Sequence, residues 1–188
     1  MPEIIIVAGP NGSGKSTLAS QLKFECEFIS ADKYEKILLA HITDREKREL
    51  KATLIITKEI QSSISSNSSF AFETVFATKT IPSFLKNAKK NGYIITLHYV
   101  ATDDCEINIA RVAKRVSEGG HDVPRQKIIS RYKETLEILP QLIKFVDTAI
   151  LYDNSNETLQ SFLIKEDNQI KIISEIPKWA EKVVDDLR

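Results

Sequence analysis

The sequence has no surplus of charge. Its 26 Lys and Arg residues face 26 Asp and Glu, so the net charge is zero with neutral histidines. Such a chain carries no global electrostatic footprint for nucleic acid or an anionic membrane, and only a local patch is left open. Cysteine is scarce. Cys26 and Cys105 stand alone without a C-x-x-C, and His41, His98 and His121 lack metal-ligand spacing, so neither a disulfide framework nor a zinc site is expected. Free thiols of this kind suit a reducing compartment. No apolar run approaches the length that crosses a bilayer, and no basic n-region precedes the first strand, so the expectation is a cytoplasmic protein, neither secreted nor membrane-embedded. Repeats, low-complexity tracts and linker compositions are missing as well. The chain therefore reads as a single domain over residues 1–188, large enough to bury a core without staples.

What the sequence does have is the stretch Gly9-Pro10-Asn11-Gly12-Ser13-Gly14-Lys15-Ser16-Thr17, between the apolar run Ile4-Ile5-Ile6-Val7-Ala8 and a helical segment beginning near Leu18. The pattern G-x-x-x-x-G-K-[ST] has a mechanism. Its glycines let backbone N–H groups curl around phosphates, the lysine reaches the β/γ oxygens, and the Ser hydroxyl ligates Mg²⁺. The helix that follows adds its positive dipole end. Gly9, Asn11, Gly12, Ser13, Gly14, Lys15, Ser16 and Thr17 are thus expected to bind ATP, with Ser16 on the metal.

Further along, 27–30 is a short strand candidate ending at Ala31-Asp32, and 33–41 carries helical spacing. Thr43-Asp44-Arg45-Glu46 resembles a capping box, and Leu50, Leu54, Ile56, Ile60 and Ile64 imply one long amphipathic helix. Residues 70–76 read as a central strand with Glu73 near its end. A helix over 80–91 follows, with Pro82 in its first turn. Residues 93–100 form a clear strand and 105–118 a helix stopped by Gly119-Gly120. Pro124 opens another helix that Pro140 breaks. Thr148 to Tyr152 is a strand, 162–164 and 170–173 flank a hairpin turn, and a last helix begins at 176–179. Alternating strands and helices argue for an α/β three-layer sandwich, with a mostly parallel sheet, helices on both faces and a small C-terminal β-hairpin. Ligands then collect at the carboxyl ends of the strands, where Asp32, Glu73, Asp103 and Asp153 fall.

Phosphoryl transfer needs a cradle, a metal, a base for the acceptor hydroxyl and cations for the transition state. Asp32 is the candidate base; the alternative is a helix cap, with Glu35 three residues on. Glu73 either meets the acceptor or a metal-bound water, or makes a structural ion pair. Residues 111–133 hold seven Lys and Arg against Glu118 and Asp122, a local net charge of +5. This is either a lid over the phosphates, spanning about 105–139, or a solvated basic face or nucleic-acid contact. Arg115 and Arg131 are its leading catalytic candidates, whereas Lys114, Lys127 and Lys133 are assigned to the surface. His121 either touches phosphate or packs at the helix entrance. Trp179 is assigned to the core, and Asp153 to an Asx turn with Asn154-Ser155.

Taken together, the Gly9 to Thr17 loop, Ser30-Ala31-Asp32, Phe72-Glu73-Thr74, and Arg115-Val116 through Gly119-Gly120-His121-Asp122-Val123-Pro124 to Arg131-Tyr132 resemble the zeta-toxin-like P-loop kinases. Among these the chain is similar to the compact single-domain branch. The resemblance implies ATP-dependent phosphorylation of a hydroxyl on a small molecule, a UDP-N-acetyl-hexosamine in the prototypes, with an antitoxin protein as partner. It implies that Lys15 and Ser16 hold ATP and Mg²⁺, that Asp32 is the base, and that Glu73, Thr74 and His121 lie on the substrate side, with Arg115 and Arg131 matching lid arginines. The prototypes carry Thr two residues after the strand Glu and Arg four residues after it; here Val75 and Ala77 stand there. Two further functions stay open: a kinase of nucleotides or nucleic-acid ends, and a nucleotide-gated binding module with weak ATPase activity.

Overall fold

Most inner strands are apolar runs, and parallel pairing stacks their ends on one side of the sheet. The structure is a computed structural model that describes residues 1–30, 33–34, 37–38, 41–156 and 158–188. Its strands are β1 (Glu3–Ala8), β2 (Glu27–Ile29), β3 (Phe70–Thr74), β4 (Ile94–Ala101), β5 (Thr148–Asp153), β6 (Gln160–Glu166) and β7 (Gln169–Ile172). They form one sheet in the order β2-β3-β1-β4-β5-β6-β7. Pairings from β2 to β5 are parallel, while β6 and β7 add an antiparallel hairpin. This is the expected α/β sandwich with its appended hairpin.

Successive side chains of a strand point to opposite faces, and both faces are covered. Ile4, Ile6 and Ala8 join the main core with Phe70, Phe72, Ile95, Leu97 and Tyr99. Val7 and Val100 pack instead against Leu18 and Ala19 of helix α1 (Lys15–Gln21). The other helices are α2 (Arg45–Ser65), α3 (Ser83–Lys90), α4 (Cys105–Ser117), α5 (Arg125–Phe145) and α6 (Glu181–Asp185), the last after a 3₁₀ turn at Lys178–Ala180. Among the described residues, no helix is long and apolar enough to cross a membrane.

Several local expectations shift. Asp44, not Thr43, caps α2, its carboxylate accepting the Lys47 N–H at 3.1 Å. The core-facing stripe of α2 is Ala52, Ile56, Ile60 and Ile64, four residues apart, with Ala52 and Ile60 buried and Ile56 and Ile64 partly so, whereas Leu50 and Leu54 lie on another face and are exposed. Pro82 is the residue before α3 and keeps an extended ψ of 142°, so the helix begins at Ser83. Pro140 does not break its helix: α5 runs unbroken through it. Proline inside a helix costs about 3 kcal/mol. Ile138, Leu139, Leu142 and Ile143 are all buried around it, and burying one such side chain contributes roughly 1.5–3 kcal/mol, so packing wins. Strand β3 ends at Thr74, and the buried Phe76 then adopts a left-handed φ of 59° with its N–H donated to Thr74 Oγ1 at 3.1 Å. At the opposite end of the sheet, the buried Lys165 donates to the Val146 and Asp147 carbonyls just past α5. Of the helix expected over 33–41, the described residues 33–34 and 37–38 are helical, while Asp32 and Glu35 lie outside the described residues.

Candidate active site

The parallel register pairs Val7 with Glu73 and Ala8 with Thr74, so the end of β3 lies level with the start of the loop after β1. This places a carboxylate beside the loop. Ser16 Oγ donates to Glu73 Oε2 at 3.0 Å, and Lys15 Nζ sits 4.0 Å from Glu73 Oε1 while donating to Pro10 O at 2.9 Å. Lys15 is almost wholly buried, and the hydroxyl-carboxylate pair is the kind of hard oxygen set that Mg²⁺ accepts.

Two asparagines hold the loop from below. Asn108 of α4 donates to Asn11 O at 2.8 Å and accepts from the Thr102 hydroxyl; Asn154, just past β5, donates to Ser13 O at 2.8 Å. Gly12 sits against this support with φ +78°, and a Cβ there would lie 2.5 Å from the Asn108 carbonyl oxygen. Only glycine fits so close an approach in the left-handed region.

Helices α4 and α5 form the second wall and have a small core of their own in Val112, Val123 and Ile128. Gly120 lets the turn between them close under Arg115, since a Cβ there would lie 2.5 Å from Arg115 Cγ. Arg115 then donates to His121 O at 2.6 Å. Arg131 Nη1 donates to Asn11 Oδ1 at 3.2 Å, tying α5 to the loop. Arg111 donates to Asn156 O at 3.3 Å. Arg111 Nη1 and Arg115 Nε are buried donors without an acceptor among the described residues. Tyr132 donates to Thr102 O at 2.6 Å, and burial pushes its phenol pKa well above the ordinary value.

These walls enclose a cleft of about 700 Å³. Asn11, Gly12, Gly14, Lys15, Ser16 and Thr17 line it, as do Glu73, Thr74, Arg115, His121 and Arg131. The cleft thus gathers most of the residues expected from sequence. Gly9 and Ser13 are buried beneath it. Asp32 lies outside the described residues, two positions after Ser30, which lines the cleft. Asp103 and Asp153 are committed elsewhere. Asp103 accepts the Trp179 N–H at 3.0 Å, and Asp153 accepts the Trp179 indole N–H at 3.0 Å and the Ser155 hydroxyl at 2.6 Å. Trp179 is a core residue, packed on Tyr99 and Phe162.

Lys127 corrects its surface assignment: it lines the cleft and reaches Glu49 of α2 at 3.1 Å. Arg111 also lines the cleft, although the sequence reading favoured only Arg115 and Arg131. A signal was there to find. Arg111 and Arg115, like Lys127 and Arg131, are four residues apart and share one face of their helix. Lys114 and Lys133 are exposed as expected, and Arg125 is taken by Glu106 at 2.5 Å.

The residues present fit a triphosphate and its magnesium ion: a glycine-tolerant loop at a helix N-terminus, a buried lysine, orphaned guanidinium donors, and a hydroxyl beside a carboxylate. A strand, phosphate-cradling loop and helix in an α/β sandwich define a P-loop protein. The family model for the AAA domain matches residues 4–138, and the chain belongs to that family. An uncharacterized protein of Haemophilus influenzae is 29% identical over 128 residues, covering 68% of this chain and 91% of the relative. Among solved structures, a chain of the PezAT chromosomal toxin–antitoxin system of Streptococcus pneumoniae is similar with a TM-score of 0.65. It is 17% identical and covers 87% of this chain and 72% of that one. A chain of AvrRxo1-ORF1:-ORF2 solved with ATP gives a TM-score of 0.73 at 15% identity, covering 92% of this chain and 60% of that one. These likenesses concern the fold.

Proposed function

We propose that this chain is an ATP-dependent phosphotransferase of zeta-toxin type that moves the γ-phosphoryl group of ATP to a hydroxyl of a small molecule. The observation that carries the reading is the meeting of Lys15, Ser16 and Glu73 with Arg111, Arg115 and Arg131 around one cleft. Phosphoryl transfer is mainly positioning and charge stabilisation, and these groups supply both. Lys15 and the loop amides hold the phosphates, and Ser16 with Glu73 would hold Mg²⁺. Bound there, the metal neutralises phosphate charge. Arg115 and Arg131 reach toward the transferred group, and Glu73, Thr74 and His121 face the acceptor. In the transfer, the acceptor oxygen bonds to the γ-phosphorus as the bond to ADP breaks, and Asp32 takes the hydroxyl proton.

The cationic side chains of the lid favour this reading over a nucleic-acid end kinase, because four of them line the cleft instead of spreading over an outer face. The likeness to a toxin–antitoxin protein supports a protein inhibitor as partner. A prototype acceptor, UDP-N-acetyl-hexosamine, meets Val75 and Ala77, which line the cleft without side-chain donors.

The test uses γ-labelled ATP, Mg²⁺ and a metabolite extract. Lys15→Ala should abolish transfer and weaken ATP binding, and Asp32→Ala should abolish transfer while leaving ATP affinity nearly intact. Unchanged turnover in Lys15→Ala refutes the reading, and surviving transfer in Asp32→Ala reduces that residue to a helix cap.

A further inference from the structure

The wall that α2 and the segment after β3 contribute to the cleft differs in chemistry from the loop and the lid. Apart from Glu49 and its threonines, its lining is apolar: Ile56, Ile60, Phe72, Phe84, Val75 and Ala77. The buried Phe72 ring meets Phe84 edge to face at 5.9 Å, which holds the Phe84 ring in place, and Ile56 and Phe84 remain partly exposed. Thr53 and Thr57 also line this wall, and their hydroxyls already donate to the Glu49 and Thr53 carbonyls at 2.8 Å, so they offer a ligand acceptor lone pairs only.

Charge is distributed just as unevenly. Among the described residues, the cations lining the cleft come from the loop and the lid, and none comes from this wall. Lys127, the lid cation nearest to it, is engaged by Glu49 at 3.1 Å. A diphosphate laid against this wall would lose its hydration with no ammonium or guanidinium to replace it. A neutral apolar group would gain from the same burial. The cleft of about 700 Å³ falls within the roughly 300–1,000 Å³ that encloses one drug-sized ligand, so an acceptor sharing it with the terminal phosphates is small.

Resting on the phosphotransferase reading above, we infer that the acceptor is a small neutral alcohol with an aromatic or branched-alkyl body seated on Ile56 and Phe84, and not a nucleoside-diphosphate sugar. Its hydroxyl oxygen forms the new bond to the γ-phosphorus, the bond from that phosphorus to the ADP oxygen breaks, and the hydroxyl proton leaves to the base. The body of the alcohol contributes affinity and takes no part in the chemistry.

The experiment presents the full chain, with Mg²⁺ and a non-hydrolysable ATP analogue, to 2-phenylethanol, benzyl alcohol and cyclohexylmethanol, and in parallel to glycerol and UDP-N-acetylglucosamine. Binding is followed by ligand-observed NMR, and transfer with γ-labelled ATP. At least one of the three apolar alcohols should bind and be phosphorylated in preference to the two polar acceptors. Phe84→Ala should weaken that binding ~10-fold or more, as expected for losing most of a ring contact. Affinity for the ATP analogue should stay as in the unmodified protein. Ile56 also packs on the core, so the milder Ile56→Thr, checked by its melting curve, is the second variant. Preference for UDP-N-acetylglucosamine or glycerol, no binding of any apolar alcohol, or full-strength alcohol binding in both variants overturns the acceptor class and leaves the phosphotransferase reading standing. Failure of the unmodified protein to bind the ATP analogue overturns both.

Discussion

Replacing Gly12 by alanine, with Gly92→Ala as its matched control, separates backbone strain from steric collision. The two glycines have nearly the same φ, +78° and +79°, so an alanine pays the same left-handed cost at either, about 1–2 kcal/mol. They differ in surroundings. A Cβ at Gly92 meets nothing within 4 Å, whereas one at Gly12 lies 2.5 Å from the Asn108 carbonyl oxygen. Asn108 is fully buried and hydrogen-bonded to Asn11 and Thr102, so neither its backbone nor α4 yields easily. Overpacking of this kind adds roughly 1–3 kcal/mol. For a chain of this size each kcal/mol lowers Tm by about 2–4 °C. Gly92→Ala should therefore melt ~2–8 °C lower with unchanged ATP affinity. Gly12→Ala should fall further, by ~4–20 °C in total, and bind ATP at least ~10-fold more weakly as the loop is pushed off its support. Thermal unfolding by circular dichroism and calorimetric titration with ATP measure the two quantities. Equal melting temperatures and equal affinities in the two variants would refute the argument that Asn108 sets the loop geometry.

His98 is packed beneath the sheet against Tyr152, with Nδ1 3.0 Å from the phenol oxygen, and burial lowers its pKa from 6.5 to about 4. The unfolded chain thus binds more protons between those values, so the contribution is complete above pH 6.5 and is lost as pH falls toward 4. The loss approaches about 3 kcal/mol, and urea unfolding across that range should show a steeper decline for the unmodified protein than for His98→Phe. Phe76 should invert a familiar order. Both Phe76→Ala and Phe76→Gly lose a buried ring, yet glycine escapes the cost of φ 59° and should be the more stable by about 1 kcal/mol in denaturant unfolding. Lys127→Met should leave stability within about 1 kcal/mol, since the Glu49 pair is partly exposed, while amide exchange over 118–123 quickens because the lid loses that tie to α2.

The loop was legible because phosphate geometry compresses its requirements into nine consecutive residues, and the flanking strand and helix follow the periodicity of their apolar side chains. Glu73 was legible as a charge at the end of an apolar run, and Gly119-Gly120 as a helix stop. The supports were not. Asn108 and Asn154 meet their loop partners across 97 and 141 residues, and nothing local marks them as different from other asparagines. Pro140 failed as a breaker because the residues around it are buried from two sides, a tertiary effect that outweighs a local preference. Lys127 was hidden by composition: in a basic stretch each cation looks like its neighbours until the helix face is known.

The position of β1 in the sheet has a consequence for how the chain is made. Strand β1 is an inner one, flanked by β3 and β4, so its partners are synthesised only with residues 70–74 and 94–101. The loop that follows it waits longer still, for Asn108 and finally Asn154. Such long-range pairing is slow to form and leaves the apolar run at 4–8 uncovered until those residues are made. The loop is thus written long before the asparagines that hold it, and a chain cut short of Asn154 lacks one of its two supports.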